Sequence, residues 1–527
     1  MRRFAALLAC VTLAACGASE APPPQHVLLV VVDTLRADHL SCMGYPRPTS
    51  PRIDALAARG TLFENAVSQA SFTSPSMVSL MTGRYIAKER LDIPAELPTL
   101  AESFEQAGFA TAGFRSNPIL KPEYGFERGF SRYLTIDEYG SDADIAAWLA
   151  SLQGKRSFTY IHITEPHDPY LPPEGRRAWR ERKDLLPGDR AEYLPRVAAE
   201  LGLADPQRGI ERIKEEIGGY DDDVRCADER VGHFLDLFER AGLMSKGLVV
   251  LAADHGEGLW EKVALMNGQR GAALRRGETP DLLNTLMPTH GNQVHRELVH
   301  VPLILAGASV PSGKRVQAPV ENVDLFPTLL ELCDLPTPGG LQGESLLRQL
   351  DGSQVRKECA FSFTRFNTTV LSPDGWSLIL PTAEGECGEQ LALELFDLRT
   401  DPHQRRNVAA AHPDVVERLR KLAQQRLEIG IHGTMKVDDA GLAALSGLGY
   451  VDQVQRENDR RELEALPSAE ILARVLNMGS PCARRLLAAE ILAARELAPS
   501  ELELLRTHRG FETSRAVNEL LDRALAR

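Results

Sequence analysis

Six consecutive apolar residues, Val27 to Val32, four of them valine, run without a polar interruption into Asp33. A strand with one wet face would alternate. This one does not, which predicts a strand covered on both faces, as at the centre of a parallel sheet. Short apolar segments of the same kind recur as FTYIHI (158–163), GLVVLAAD (247–254) and VPLILAG (301–307). Between them lie helical patterns such as SPRIDALAARG and LPTLAESFEQAG, the second closed by Gly108. The alternation predicts an α/β fold, a doubly wound, mostly parallel central sheet flanked by helices. Ligands of such sheets bind at the carboxyl ends of the strands, which is where Asp33 and Asp254 fall.

From about residue 435 the pattern changes. Residues 455–527 are rich in Leu, Ala, Glu and Arg, and SAEILARVLNMG and ETSRAVNELLDRALAR read as amphipathic helices with Ser or Thr near their starts. A helical C-terminal appendage is expected there. The other terminus is a targeting pattern: Arg2 and Arg3 precede the apolar run AALLACVTLAA, too short to span a bilayer and ending in small residues. Leu13-Ala14-Ala15-Cys16-Gly17 resembles a bacterial lipobox. The expectation is therefore a signal peptide over 1–15 and a lipid on Cys16, with residues 16–25, including the Pro-rich SEAPPPQ, as a tether. Such a chain is anchored to an envelope membrane, on its periplasmic or extracellular side, without spanning it. The main domain then covers 26–435.

Length and composition add bounds. The 527 residues suit one large α/β unit plus a satellite, and 43% hydrophobic with 25% charged residues is ordinary for a globular chain. The net charge of −13 argues against a nucleic-acid partner, which needs basic stripes, but does not exclude anionic small substrates. The eight cysteines show no CxxC and no zinc-ribbon spacing; in an exported chain some could pair, Cys359 with Cys387 among them.

The chemistry gathers at strand ends. Asp33, Asp254 and the adjacent His255 form a hard-to-borderline set suited to one divalent ion, Ca, Mn, Zn or Mg, provided that the backbone turns sharply at Gly256 so that both neighbours reach it. Thr73-Ser74-Pro75-Ser76 reads structurally as a helix start, with Pro in the first turn and Ser capping. A hydroxyl just ahead of that helix would also sit in a positive field, where a metal could activate it as a nucleophile.

The ordered strings VVVDTLRADHL, TSPSMVSLMTGRY, HITEPHDPYLPP, AADHGEG and THGNQVHRELVHVPLIL, continued by VENVDLFPTLLELCDLP and ELFDLRTDPHQRRNVA, resemble the sulfatase-like family of the alkaline phosphatase superfamily over about residues 25–435. The resemblance implies an alkaline-phosphatase-like fold with a smaller C-terminal subdomain. It places Asp33, Asp254 and His255 on the metal, Thr73 at the nucleophile position and on the same metal, and His167 and His290 against the ester's oxygens or leaving group. Glu257 and Arg36 fall beside these as supporting or surface groups.

Three departures from the family's pattern bear on function. Sulfatases of this family carry Cys or Ser where Thr73 stands, converted to formylglycine within Cys-x-Pro-Ser-Arg; Thr cannot become that aldehyde, and Met77 replaces the Arg. Thr34 replaces the second Asp of the usual pair. No Gly-Lys-Trp-His segment is present, and Arg115 or Asn117 is the expected partial substitute. Formylglycine is therefore not expected. A Thr sulfate ester has no second hydroxyl to expel sulfate, whereas a Thr phosphate ester can be attacked in line by water or an alcohol. The sequence thus implies cleavage of sulfuric or phosphoric esters of a small molecule, glycan or lipid headgroup, with phosphorus favoured. The rivals are a phosphotransferase of the phosphoethanolamine or phosphoglycerol type, a two-metal phosphodiesterase drawing on His162, His167 and Asp168, and an inactive binding protein retaining the fold.

Overall fold

The computed structural model describes residues 22–86, 91–182, 190–201, 205–261, 290–291, 293–353, 357–364, 366–382, 391–429, 459–476, 482–509 and 515–526. The expected signal peptide, Cys16, Cys387 and the junction at 435–455 lie outside the described residues.

A nine-stranded sheet forms the centre: β1 (His26–Val32), β2 (Gly60–Val67), β3 (Ala110–Arg115), β4 (Arg132–Thr135), β5 (Ser157–Ile163), β6 (Gly247–Ala253), β7 (His300–Gly307), β8 (Lys314–Val316) and β9 (Val320–Glu321). Its order is β4-β3-β5-β1-β6-β7-β2-β8, with β9 continuing beside β2. The five strands from β4 to β6 run parallel, as the unbroken apolar runs of β1, β5 and β6 predict. The segment at 301–307 differs, because β7 lies antiparallel to both β6 and β2. Apolar content reports burial on two faces and is blind to strand direction.

β1 is buried at every residue. It pairs with β5 and β6 in matched register, Val32 opposite both Ile163 and Ala253. Because the three strands end at one level, Asp33 and Asp254 emerge side by side. Helices α1 (Pro51–Ala58), α2 (Thr73–Thr82), α3 (Leu100–Gln106), α4 (Ala143–Ala150), α5 (Arg190–Leu201), α6 (Pro206–Arg240) and α7 (Leu325–Leu332) accompany this sheet. α3 opens on a capping box in which Thr99 and Glu102 satisfy each other's backbone N–H groups.

A second sheet is antiparallel, β10 (Ala360–Phe363), β11 (Asn367–Leu371), β12 (Trp376–Pro381) and β13 (Glu394–Asp397), with α8 (Pro413–Ile429) packing Leu419 and Ala423 against Phe361, Val370 and Leu378. This is the smaller C-terminal subdomain. A buried ionic knot joins it to the main sheet: Lys357 Nζ lies 2.5 Å from Glu321 Oε2 and 2.6 Å from Asp324 Oδ2, while Tyr85 donates its hydroxyl to Glu321 at 2.8 Å. Helices α9 (Ser468–Leu476), α10 (Cys482–Ala494), α11 (Pro499–Arg509) and α12 (Arg515–Leu525) enclose a separate core built on Leu472, Leu492, Val517 and Leu521. Among the described residues no helix is long and apolar enough to cross a membrane.

Candidate metal centre and its surroundings

Asp33, Asp254 and His255, all fully buried, place one ligand atom each within 4.8 Å of one another, and they are the one cluster of this kind among the described residues. His255 Nε2 stands 3.6 Å from both Asp33 Oδ1 and Asp254 Oδ2. Its Nδ1 is 2.8 Å from the Gly256 carbonyl, which only accepts, so the ring proton belongs on Nδ1 and the Nε2 lone pair faces the carboxylates. Burial lowers the His255 pKa to about 4, against the opposing pull of Asp254, and the ring is neutral near pH 7. Burial and the Asp254 charge push the Asp33 carboxyl well above its ordinary range. Burial acts likewise on Asp254, but His255 and His162 outweigh it and hold that carboxyl ionised.

Two buried carboxylates with no cation between them are costly. Asp33 Oδ1, Asp254 Oδ2 and the Thr34 hydroxyl are buried with no hydrogen-bond partner, so the donor set fits a divalent ion. The remaining oxygens are held in place. Asn117 donates to Asp33 Oδ2 at 2.6 Å, and Asp254 Oδ1 accepts from the backbone N–H groups of His255 and Thr34. Thr34 has a φ of 52°, a left-handed conformation that directs its N–H to Asp254. Arg115, the other expected substitute, donates to the Asn117 carbonyl and so supports the residue that touches Asp33.

Gly256 serves a different purpose from the expected sharp turn. A Cβ there would lie 2.1 Å from the Glu297 carbonyl oxygen, so close backbone packing after the Asp-His pair is what requires glycine.

Thr73 is the first residue of α2, one position inside the helix where the sequence suggested a site just ahead of it. Its Oγ1 is 3.2 Å from His255 Nε2. Ser76 does not cap the helix: its hydroxyl donates to the Asp254 carbonyl at 2.5 Å, fastening the helix start to the metal strand. Met77 packs in the core.

Two more histidines complete a row of rings. His290 lies 4.6 Å from the His255 ring centroid, and His167 lies 5.1 Å from His290. Glu257 Oε1 is 2.8 Å from His290 Nδ1. Burial opposes ionisation of Glu257, yet His290 and His167 outweigh it and keep the carboxyl below its ordinary value. Arg36, fully enclosed, donates to the Glu257 carbonyl at 2.9 Å and pairs with Glu261 and Asp38. His167 Nδ1 is 2.6 Å from the Asp168 carbonyl.

A buried Asp-Asp-His cluster beside a hydroxyl, at the carboxyl edge of a mostly parallel sheet, defines the class: a candidate one-metal centre in an alkaline-phosphatase-like fold. The Sulfatase family profile matches residues 25–335, more than half the chain, and the chain belongs to that family. The profile described as N-sulphoglucosamine sulphohydrolase, C-terminal, matches residues 292–429. The ulvan-active sulfatase of Formosa agariphila is 24% identical over 366 residues, covering 62% of this chain and 65% of that protein, so the chain spans just under two thirds of that relative. Among solved structures, the phosphonate monoester hydrolase of Agrobacterium radiobacter superposes with a TM-score of 0.58 at 19% identity, over 76% of this chain and 96% of that one. A protein solved with its substrate D-glucosamine-2-N,6-O-disulfate gives a TM-score of 0.59 at 16% identity, over 78% and 98%.

Proposed function

We propose that this chain is an ester hydrolase using Thr73 as its nucleophile, without formylglycine, and that phosphoric esters are its better substrates. The observation that carries this is Thr73 Oγ1, 3.2 Å from the lone-pair nitrogen of His255 and at the N-terminus of a ten-residue helix. A divalent ion held by Asp33, Asp254, His255 and Thr73 would neutralise ester oxygens and acidify the hydroxyl. In the first step Thr73 gives up its hydroxyl proton to solvent, an Oγ–P bond forms, and the P–O bond to the leaving alcohol breaks. His290, held by Glu257, gives that alcohol its proton, and His167 binds non-bridging oxygens. Water then attacks phosphorus and gives a proton to His290, the Oγ–P bond breaks, and Thr73 takes a proton back from solvent.

Sulfuric esters are the second reading, supported by the sulfatase relatives. A glycan or lipid-headgroup ester near an envelope membrane, with the chain tethered through a lipid on Cys16, fits the N-terminal pattern. The test compares wild type with Thr73→Ala on nitrophenyl phosphate, bis-nitrophenyl phosphate and nitrophenyl sulfate. Loss of phosphoesterase activity in the variant supports the proposal. Equal activity of the two proteins overturns the nucleophile, and cleavage of sulfate alone overturns the preference for phosphorus.

A further inference from the structure

His162 is fully buried, and neither ring nitrogen has a hydrogen-bond partner. An unpaired polar group in a protein interior costs about 1–3 kcal/mol, so its retention calls for an explanation. The sheet register supplies one. His162 is opposite Val31, and Val31 is opposite Ala252, so the three side chains share one face of the sheet. Two residues further on, just past the ends of β1 and β6, stand Asp33 and Asp254. His162 Nε2 is 3.7 Å from Asp254 Oδ2. That oxygen is itself without a hydrogen-bond partner and is the one 3.6 Å from His255 Nε2.

His162 is not itself a ligand by this geometry, because the set of mutually close ligand atoms comprises Asp33, Asp254 and His255 alone among the described residues. We propose that His162 is a positioning residue for the metal centre: its Nε2–H holds Asp254 Oδ2 in the orientation that the cation requires. A movement of roughly 0.5 Å brings the pair within N–H···O reach. With Thr34 contributing no charge, Asp33 and Asp254 are the two carboxylates of the cluster, and the placement of each counts for more. Outer contacts of this kind change metal affinity by about 10–100-fold.

The proposal rests on Asp33, Asp254 and His255 holding a metal, and one experiment separates the two claims. Metal-free full-length wild type, His162→Leu and His162→Gln are titrated with Mn²⁺ and with Zn²⁺ by calorimetry, and each is melted with and without metal. The expected result is that His162→Leu binds metal about 10–100-fold more weakly, while its metal-free melting temperature is unchanged or higher, since an apolar side chain replaces an unpaired polar one. His162→Gln, which keeps an N–H donor, recovers part of the affinity. Wild-type affinity in His162→Leu overturns the proposal, as does a lower metal-free melting temperature with no recovery by Gln, which marks a packing residue. No binding by wild type overturns both the metal site and the role given to His162.

Discussion

Glu257 Oε1 lies 2.8 Å from Nδ1 of His290, with both side chains enclosed beside His255. A carboxylate on one ring nitrogen fixes the orientation of the imidazole and leaves its other nitrogen for proton transfer to the leaving group. Glu257→Gln keeps the shape and removes the charge. We expect kcat to fall by about 10²-fold or more, since general acid catalysis contributes about 10²–10⁴. The loss should be smaller for substrates with acidic leaving groups, which need no proton. A uniform loss across a leaving-group series would contradict the role.

Metal affinity should rise with pH. In the metal-free protein the Asp33 carboxyl is held above its ordinary range, so the folded state keeps a proton that the unfolded chain releases. That contribution to stability is complete below the ordinary carboxylate pKa and is lost as pH rises toward the folded value. A cation displaces the proton, so binding tightens over that window and releases protons. Calorimetry in buffers of different ionisation enthalpy checks this; pH-independent binding without proton release would contradict it.

Gly256→Ala should damage the centre without touching a ligand. Its Cβ would lie 2.1 Å from the Glu297 carbonyl oxygen, and neither backbone segment can yield cheaply. The expected cost is about 1–3 kcal/mol, with weaker metal binding because the strain falls next to His255. Chemical denaturation and metal titration report the two effects separately.

The knot under the C-terminal subdomain predicts a large stability effect. Lys357 faces both Glu321 and Asp324 in the interior, and Lys357→Met would strand two carboxylates there. A loss of about 3–5 kcal/mol is expected, read from denaturant unfolding. A change below 1 kcal/mol would show that solvent reaches the site.

The parts of the site that lie at strand ends were legible in the sequence. An apolar run followed by Asp, or by Asp-His, marks both the strand and its carboxyl edge, which is how Asp33, Asp254 and His255 could be picked out. Asn117, which reaches Asp33 across 84 residues, was marked only through the resemblance to the family. Ser76 was not marked as a support, because its contact with the Asp254 carbonyl, across 178 residues, depends on distant packing. The resemblance implied a C-terminal subdomain, but the strands of its small sheet were missed for another reason: they are four to six residues long, too short for periodicity to register. Gly256 was singled out for its freedom to turn, whereas its missing Cβ is what the packing uses.

The central claim is that Thr73, unmodified, takes the phosphoryl group. The most direct test is mass spectrometry of the peptide containing Thr73, before and after rapid acid quenching during turnover of nitrophenyl phosphate. The account predicts an intact threonine at rest and a phosphorylated Thr73 in the quenched sample. A phosphoryl group on another residue, or none under conditions that trap Thr73→Ser, would contradict it.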